Sequence, residues 1–290
     1  MSVTLENDHL RVRVKEKGAE LTNVENKFTN LEYMWSGDPV FWGKVSPILF
    51  PIVGALKDNT FLYAGAHYEL TRHGFARDMV FDLIEQRSDY ITFQLLSNTS
   101  TRPKYPFDFE LKVSYHVIND FLEVTYTVVN SGDTTMYFSI GAHPAFKVPL
   151  VAGTDFEAHY LLFEDKETAP RWPIDPNGLI MDKPIPFLEN TSTLKLSHDL
   201  FKQDALVFKN LRSQNISLKS NAHSNGLDFY FQGFSYLGIW SAKNSDFVCI
   251  EPWCGIADSV LHDQNLTTKE GIIELPAAES WTRAWKARFY

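Results

Sequence analysis

Two residues of the sequence carry side chains that can move protons near neutral pH. His143 is followed by Pro144 after an apolar run, and Glu251, about a hundred residues further on, is followed by Pro252. A histidine can donate a proton and a carboxylate can accept one, so the pair could serve as general acid and general base. Opening and closing a sugar ring needs an acid at the ring oxygen and a base at the anomeric hydroxyl. Such a pair needs no metal and no cofactor, and we expect neither.

Each residue taken alone also has a structural interpretation. Proline after His143 favours extended backbone at the histidine, which suits a hydrogen-bonded structural residue as well as a catalytic one. Glu251 follows the apolar run 247–250, so partial desolvation could raise its pKa and make it a better base. A salt bridge from Glu251 to a nearby lysine or arginine is the structural alternative.

A second polar cluster spans residues 72–77. It contains Arg72, His73 and Arg77, with a glycine between them that lets the backbone turn closely. These donors could hold the hydroxyl groups of a polyol. A charged hairpin corner, neutralised by Glu69 and Asp78, would explain the same residues without a ligand.

The elements that must position these side chains are predicted to be strands. Residues 107–117 alternate strictly between apolar and polar types, and residues 122–128 repeat the pattern after a turn, which indicates an antiparallel hairpin with one wet face. We expect its inward face to include Phe109, Leu111, Val113, Leu122, Val124 and Tyr126.

Further short strands are predicted, separated by turn residues. They lie at residues 10–14, 90–95, 206–208, 216–218, 237–240 and 247–251. Together they predict an all-β fold, a large antiparallel β-sandwich, in one domain over residues 1–290. The proline-rich stretch 170–190 is expected to be a long surface loop, and residues 281–290 a closing strand.

Composition excludes several classes of function. The 27 lysines and arginines against 36 aspartates and glutamates give a net charge of −9 without a basic stripe, so nucleic acid is not expected as a partner. No targeting segment or membrane span is apparent, and we expect a cytoplasmic protein. Cys249 and Cys254 do not have the spacing of a zinc pair, and we interpret them as reduced thiols that pack as small hydrophobes.

Several segments together resemble one family. They are residues 50–54, 72–77, 141–146, 203–208, 236–240 and 250–253, and their order is that of the aldose 1-epimerase (galactose mutarotase) family. The resemblance covers most of the chain. It looks closest to the branch found with lactose and tagatose 6-phosphate genes in Gram-positive bacteria.

The resemblance implies a galactose mutarotase-like β-supersandwich and a role for each matching residue. His143 matches the general acid that protonates the ring oxygen, and Glu251 matches the general base at the anomeric hydroxyl. His73 matches a histidine that hydrogen-bonds the sugar, and Asp204 an aspartate that binds its hydroxyls. The implied activity is interconversion of the α and β anomers of a hexose or hexose phosphate.

One position departs from the family pattern. Ala55 stands where the family commonly has a substrate-contacting arginine, so Lys57, Arg72 or Arg77 would have to supply that contact, and a lysine would do so only as a point charge. Trp240, along with Trp253 and Phe75, could stack on the apolar face of a pyranose.

Two other functions fit the same residues. A glycoside hydrolase or lyase could pair Glu251 with Asp204 or Asp228. A non-catalytic sugar-binding or sensing protein could keep the sandwich and lose turnover, which Ala55 would favour. In each case the partner is a small sugar, and the protein is expected to be a monomer or homodimer.

Overall fold

The computed structural model of the protein describes residues 1–290, and its regular secondary structure is almost all strand. The strands are β1 Ser2–Glu6, β2 Leu10–Lys15, β3 Glu20–Asn26, β4 Leu31–Glu32, β5 Ile48–Leu49, β6 Thr60–Tyr63, β7 Ala66–Glu69, β8 Asp82–Gln86, β9 Tyr90–Leu96, β10 Phe109–Ile118, β11 Phe121–Asn130, β12 Met136–Phe138, β13 Ile140–Ala142, β14 Ala145–Lys147, β15 His159–Arg171, β16 Ile185–Lys195, β17 Leu206–Lys209, β18 Asn215–Ser220, β19 Leu227–Tyr230, β20 Tyr236–Trp240, β21 Phe247–Cys254, β22 Ile273–Leu275 and β23 Ser280–Phe289. Five short 3₁₀ helices occupy Lys57–Asn59, Ala76–Asp78, Phe156–Ala158, His198–Phe201 and Leu266–Thr268. No helix is long and apolar enough to cross a membrane.

The largest sheet has nine antiparallel strands in the order β16-β15-β18-β19-β23-β11-β10-β9-β8. Its centre is the hairpin of β10 and β11, in register from Phe109 opposite Asn130 to Ile118 opposite Phe121. Burial alternates along both strands, as a sheet with one face on the core requires. The six residues predicted to face inward are all buried, so that prediction is confirmed.

A six-stranded sheet carries the candidate acid and base. Its strands follow the order β17-β20-β21-β13-β5, and β14 also pairs with β21. Aromatic contacts join it to the nine-stranded sheet: Phe50, just after β5, lies 5.1 Å between ring centres from Phe109, and Phe146 on β14 lies 5.8 Å from Phe229 on β19. The predicted all-β sandwich is therefore confirmed.

Smaller sheets complete the molecule. Strands β1 to β4 form a four-stranded sheet, and β12 with β22 and β6 with β7 form two-stranded ones. One hydrophobic cluster runs through the protein from Val3 to Phe289. Because no break divides this core, we propose that residues 1–290 form one domain.

Two sequence predictions about single segments have different outcomes. The closing strand is confirmed, since β23 lies between β19 and β11. The stretch 170–190 is not one long loop, because β15 continues to Arg171 and β16 begins at Ile185. The prolines and turn residues of this stretch suggested a loop along its whole length. Pro170 and Pro186 lie near strand ends, where a proline does not prevent the pairing of β15 with β16. The loop proper covers residues 172–184, and it reaches the candidate site.

The hairpin offers a direct test of the core. Leu111 on β10 is fully buried, so Leu111→Ala is expected to lower the free energy of unfolding by about 2–5 kcal/mol through lost apolar contact and a cavity. Lys112 is the matched control on the wet face, where its pairing with Glu110 is worth less than about 1 kcal/mol. Urea unfolding measures both, and equal effects of the two substitutions would contradict the assigned faces.

Candidate active site

A cavity of about 420 Å³ opens beside the six-stranded sheet and gathers most of the residues singled out in the sequence. Its walls combine loops and strand ends that are far apart along the chain. Among the residues that line it are Arg72, His73, Arg77, His143, Asp204, Trp240 and Glu251.

Glu251 lies on β21, in which every residue is buried. It is paired with Gly238 of β20. A Cβ atom at Gly238 would lie 2.5 Å from two ring atoms of Trp253, and one at Gly141 on β13 would lie 2.6 Å from another. The indole of Trp253 therefore fills the space above two glycines and forms part of the cavity wall beside the carboxyl group.

His143 lies between β13 and β14, and its imidazole contacts Glu251. The distance from His143 Nε2 to Glu251 Oε2 is 3.2 Å, and both side chains are buried. Trp42 stacks on the imidazole at 4.8 Å between ring centres, and Trp240 meets it edge-on at 5.7 Å. The plane of the imidazole is thus fixed by two aromatic rings.

Burial dominates the electrostatics of this pair. It lowers the pKa of His143 to about 3, and it raises the pKa of Glu251 well above its usual value, with the carboxylate of Asp204 adding to the rise. Both shifts disfavour charge on buried groups, and they favour the uncharged pair, in which the one titratable proton lies on the carboxyl group and the imidazole is neutral. An ion pair of imidazolium and carboxylate holds the same single proton, so the two states differ only by its transfer across the 3.2 Å contact.

His73 is placed by two reciprocal bonds to Gly54. The backbone N–H of Gly54 donates to His73 Nδ1 at 3.1 Å, and the backbone N–H of His73 donates to the carbonyl of Gly54 at 2.8 Å. Burial, followed by the nearby His143 and Arg77, holds the pKa of His73 well below its usual value. A neutral imidazole that accepts at Nδ1 carries its proton on Nε2, so His73 is a hydrogen-bond donor in the cavity.

The two arginines have different surroundings. Arg77 is half-buried and donates from one terminal nitrogen to the carbonyl of Arg72 at 2.7 Å, while its buried Nε has no partner. Its nearest carboxylate is Asp78, 3.7 Å away. Arg72 is exposed, and its guanidinium packs against Gly178 in the loop 172–184, where a side chain larger than hydrogen would collide with it. The segment 72–77 therefore places the positive charges of Arg72 and Arg77 at the cavity.

The two aspartates considered with Glu251 are separated by the fold. Asp204 lines the cavity, and its Oδ1 accepts from the backbone N–H of Ala205 at 2.8 Å. Asp228 lies on β19 in the other sheet, where Ser217 donates to its carboxylate at 2.7 Å. It does not line the cavity, so the pairing of Glu251 with Asp228 is not available.

Comparison with known proteins identifies the relatives of this chain. The family model described as aldose 1-epimerase matches residues 1–274. The chain belongs to the aldose 1-epimerase family. It is 35% identical over 283 residues to the plasmid-encoded protein LacX of Lactococcus lactis subsp. lactis, covering 93% of this chain and 94% of LacX, which supports the finer placement made from the sequence.

Two solved structures show the same fold. One is a galactose mutarotase related enzyme from Lactobacillus acidophilus, at a TM-score of 0.94 and 35% identity over 100% of this chain and 97% of that one. The other is a galactose mutarotase-like protein from Lactobacillus casei, at a TM-score of 0.94 and 31% identity over the whole of both chains. This aldose 1-epimerase family member thus has the supersandwich that its sequence implied.

The structure places Ala55 beside the loop that contains Asp258. Ala55 is buried, and its carbonyl accepts from the backbone N–H of Asp258 at 2.9 Å. Lys57 was predicted as a substitute cation but does not line the cavity. Its Nζ donates to the carbonyl of His262 at 3.1 Å, and its backbone N–H donates to Asp258 at 2.9 Å, so the loop that holds it also turns it away. Arg72 and Arg77 remain as candidate donors.

The aromatic residues of the site differ from those expected. Trp240 and Trp253 line the cavity. Phe75 does not, because its ring is buried in the core against Phe50 at 6.4 Å. Trp42 also stacks on His143 but was not predicted, because it lies in a loop without periodicity. The only signal in the sequence was a large aromatic residue close to the turn residues Asp38-Pro39.

One set of possible metal ligands lies in the site. His143, Cys249 and Glu251 place one ligand atom each within 4.8 Å of one another. Burial, and then the nearby Glu251, raise the pKa of the Cys249 thiol well above its usual value, which keeps the thiol protonated and disfavours metal binding. Both cysteines are buried free thiols, as the sequence suggested.

The shared proton predicts how stability varies with pH. The folded protein keeps a proton on Glu251 that the unfolded chain releases above about pH 4.5, so this contribution to stability is lost as pH rises toward the raised pKa. Glu251→Gln removes the effect. The free energy of unfolding of the variant relative to the parent is expected to increase by about 1.4 kcal/mol per pH unit above about pH 5 until Glu251 ionises.

Urea unfolding at a series of pH values measures this difference. The exposed Glu189 supplies the control, because Glu189→Gln should leave the pH dependence unchanged. A constant difference between the Glu251 variant and the parent across the range would show that Glu251 is ionised in the folded protein.

Proposed function

We propose that the protein is an aldose 1-epimerase that interconverts the α and β anomers of a hexose or hexose phosphate, with His143 as general acid and Glu251 as general base. The observation that carries the proposal is the 3.2 Å contact between His143 Nε2 and Glu251 Oε2 in the wall of a 420 Å³ cavity. The ring oxygen and the anomeric hydroxyl of a sugar are attached to the same carbon. An acid and a base that serve both must therefore be close neighbours.

The proton count of the pair suits this reaction. Glu251 takes the proton of the anomeric hydroxyl while His143 gives one to the ring oxygen, so the bond from C1 to the ring oxygen breaks and an aldehyde forms. Rotation about the bond from C1 to C2 exposes either face of the aldehyde. Closure reverses both proton transfers, and the pair ends with the single proton it began with.

A bound sugar would supply the hydrogen bonds that stabilise the charged forms of Glu251 and His143. Without a sugar, burial favours the proton on Glu251 because it disfavours the charged form of both groups. Hydroxyl groups that hydrogen-bond the carboxylate, and a ring oxygen that accepts from the imidazolium, would favour the charged arrangement. Binding thereby prepares the acid and the base at the same step.

Other residues of the cavity are proposed to orient the sugar. His73 presents a neutral Nε2–H donor, which can hydrogen-bond the ring oxygen as charge develops there. Asp204 can accept from sugar hydroxyls, and Arg72 and Arg77 can donate to them. Trp240 and Trp42 offer apolar surface for a face of the pyranose.

Replacing the acid or the base is the first test. Glu251→Gln keeps the shape of the side chain but removes the base, and His143→Asn removes the acid, so each is expected to lower kcat for mutarotation by about 100-fold or more. Polarimetry on fresh α-galactose and α-glucose measures the rate. His67→Asn and Glu189→Gln, at exposed positions away from the cavity, are the controls.

The same samples separate the competing functions. Sugar binding, followed through the fluorescence of the tryptophans in the site, should persist in both variants. Binding without acceleration by the parent protein would indicate a sensing protein, and cleavage of aryl glycosides would indicate a hydrolase that uses Glu251 with Asp204. A variant of His143 or Glu251 that mutarotates at the parent rate would refute the role of that residue.

A second test concerns the charge of the substrate. An anionic group such as a sugar 6-phosphate could be received by Arg72 and Arg77, whereas the net charge of −9 disfavours anion steering. Arg77 already binds the carbonyl of Arg72, so we expect kcat/KM to be higher for neutral hexoses than for their 6-phosphates.

Arginine variants decide between these substrates. Arg72→Ala and Arg77→Ala are compared with Arg87→Ala, an exposed arginine paired with Glu85, on galactose, glucose and both 6-phosphates. A preference for the phosphosugar that either cavity variant abolishes would replace the neutral substrate with the anionic one. A preference for the neutral sugar in all proteins would eliminate the phosphate.

A further inference from the structure

Two histidines outside the active site face each other at one end of the nine-stranded sheet. His159 is the first residue of β15, and His223 lies in the loop between β18 and β19. Their ring centres are 5.3 Å apart with an angle of 60° between the planes. His159 is only 2% exposed, and neither residue lines the cavity described above.

The hydrogen bonds of the two rings fix where their protons are. His159 Nδ1 lies 2.9 Å from the carbonyl of Asp155, and His223 Nδ1 lies 3.1 Å from the carbonyl of Asn225. A carbonyl oxygen only accepts, so each Nδ1 carries the hydrogen of a neutral ring and each Nε2 has a free lone pair. Both Nε2 atoms are buried without a partner.

Each ring has the hydrogen bonding of a metal-bound histidine, and the separation of the two rings suits a shared ion. A metal-bound histidine usually donates its other ring N–H to a carbonyl or carboxylate, which sets the tautomer and the ring orientation. With a metal–nitrogen distance of about 2.0–2.1 Å, tetrahedral coordination holds two imidazole centres about 5 Å apart. The observed separation is 5.3 Å.

The buried surroundings of His159 agree with the geometry. Burial lowers the pKa of His159, with the nearby His223 lowering it further. The neutral imidazole is the form that ligates a metal, and burial favours that form at His159. Two buried lone pairs that find no donor in the protein are otherwise costly to leave unpaired.

We propose that His159 and His223 form a binding site for a divalent transition metal ion such as Zn²⁺ or Ni²⁺, held by the two Nε2 atoms with water at the remaining positions. The ion would join the first residue of β15 to the loop after β18. These two strands are already paired there, with His159 opposite Ser220. The metal would thus cross-link two neighbouring segments at this end of the sheet.

Calorimetric titration of the full chain with Ni²⁺ and with Zn²⁺ tests the proposal. The titrations use the His143→Asn background, so that the ligand set of the active site cannot contribute. One ion per chain is expected. His223→Gln should weaken its affinity at least tenfold, because one of two ligands is lost, whereas the exposed His67→Gln should leave it unchanged.

A spectroscopic measurement accompanies the titration. Nitrogen NMR of the histidine rings should show Zn²⁺ shifting the Nε2 signals of His159 and His223, with their Nδ1 protons retained. His223 is half-buried, so His223→Gln is expected to fold, and circular dichroism checks this. Equal affinity of His223→Gln and its parent, or no binding to the parent at millimolar metal, would overturn the proposal, and neither result bears on the sugar chemistry.

Discussion

The burial of one carboxyl group directly against one imidazole is the constraint on which the candidate site depends. Burial makes a charge on either group costly, which favours a state in which the two share one titratable proton. A strand buried along its whole length, β21, and the aromatic rings of Trp42 and Trp240 keep this region dry. A wetter site would let both groups ionise independently and would separate their protonation states.

A buried ion pair holds the loops that surround His143 and Glu251. Lys269 donates to Asp258 at 2.8 Å with both side chains buried, and Asp258 in turn accepts from the backbone of Lys57. The loop that contains Ala257 is thereby fixed against Gly54, which could not carry a larger side chain there. Since Gly54 binds His73 through two hydrogen bonds, contacts through Ala257 and Gly54 connect this buried ion pair to a residue of the cavity.

The sequence predicted those features that repeat along the chain or recur in a family. Alternation with a period of two located the hairpin and its inward face, because each strand buries one side. The motifs around His143 and Glu251 identified the pair. That Trp42 and the loop 172–184 line the cavity could not be found in this way, since their positions depend on contacts between distant segments.

The sequence also did not predict the direction in which single side chains point. Lys57 is close in sequence to the position that lacks the family's arginine, yet backbone hydrogen bonds to the loop around Asp258 turn it away. Asp228 seemed equivalent to Asp204 as a partner for Glu251, but Asp228 lies on β19 in the nine-stranded sheet, whereas Asp204 lies in the loop before β17 and lines the cavity. Neither proximity along the chain nor residue type therefore predicted whether these side chains reach the cavity.

The place of β23 has a consequence for how the molecule is assembled. Residues 280–289 pair with β11 on one side and β19 on the other, although β11 precedes them by about 150 residues. Pairing over such separations makes folding slow, and until these residues arrive β11 and β19 present open edges to other chains. A nascent or truncated chain lacking this strand is therefore expected to be prone to aggregation.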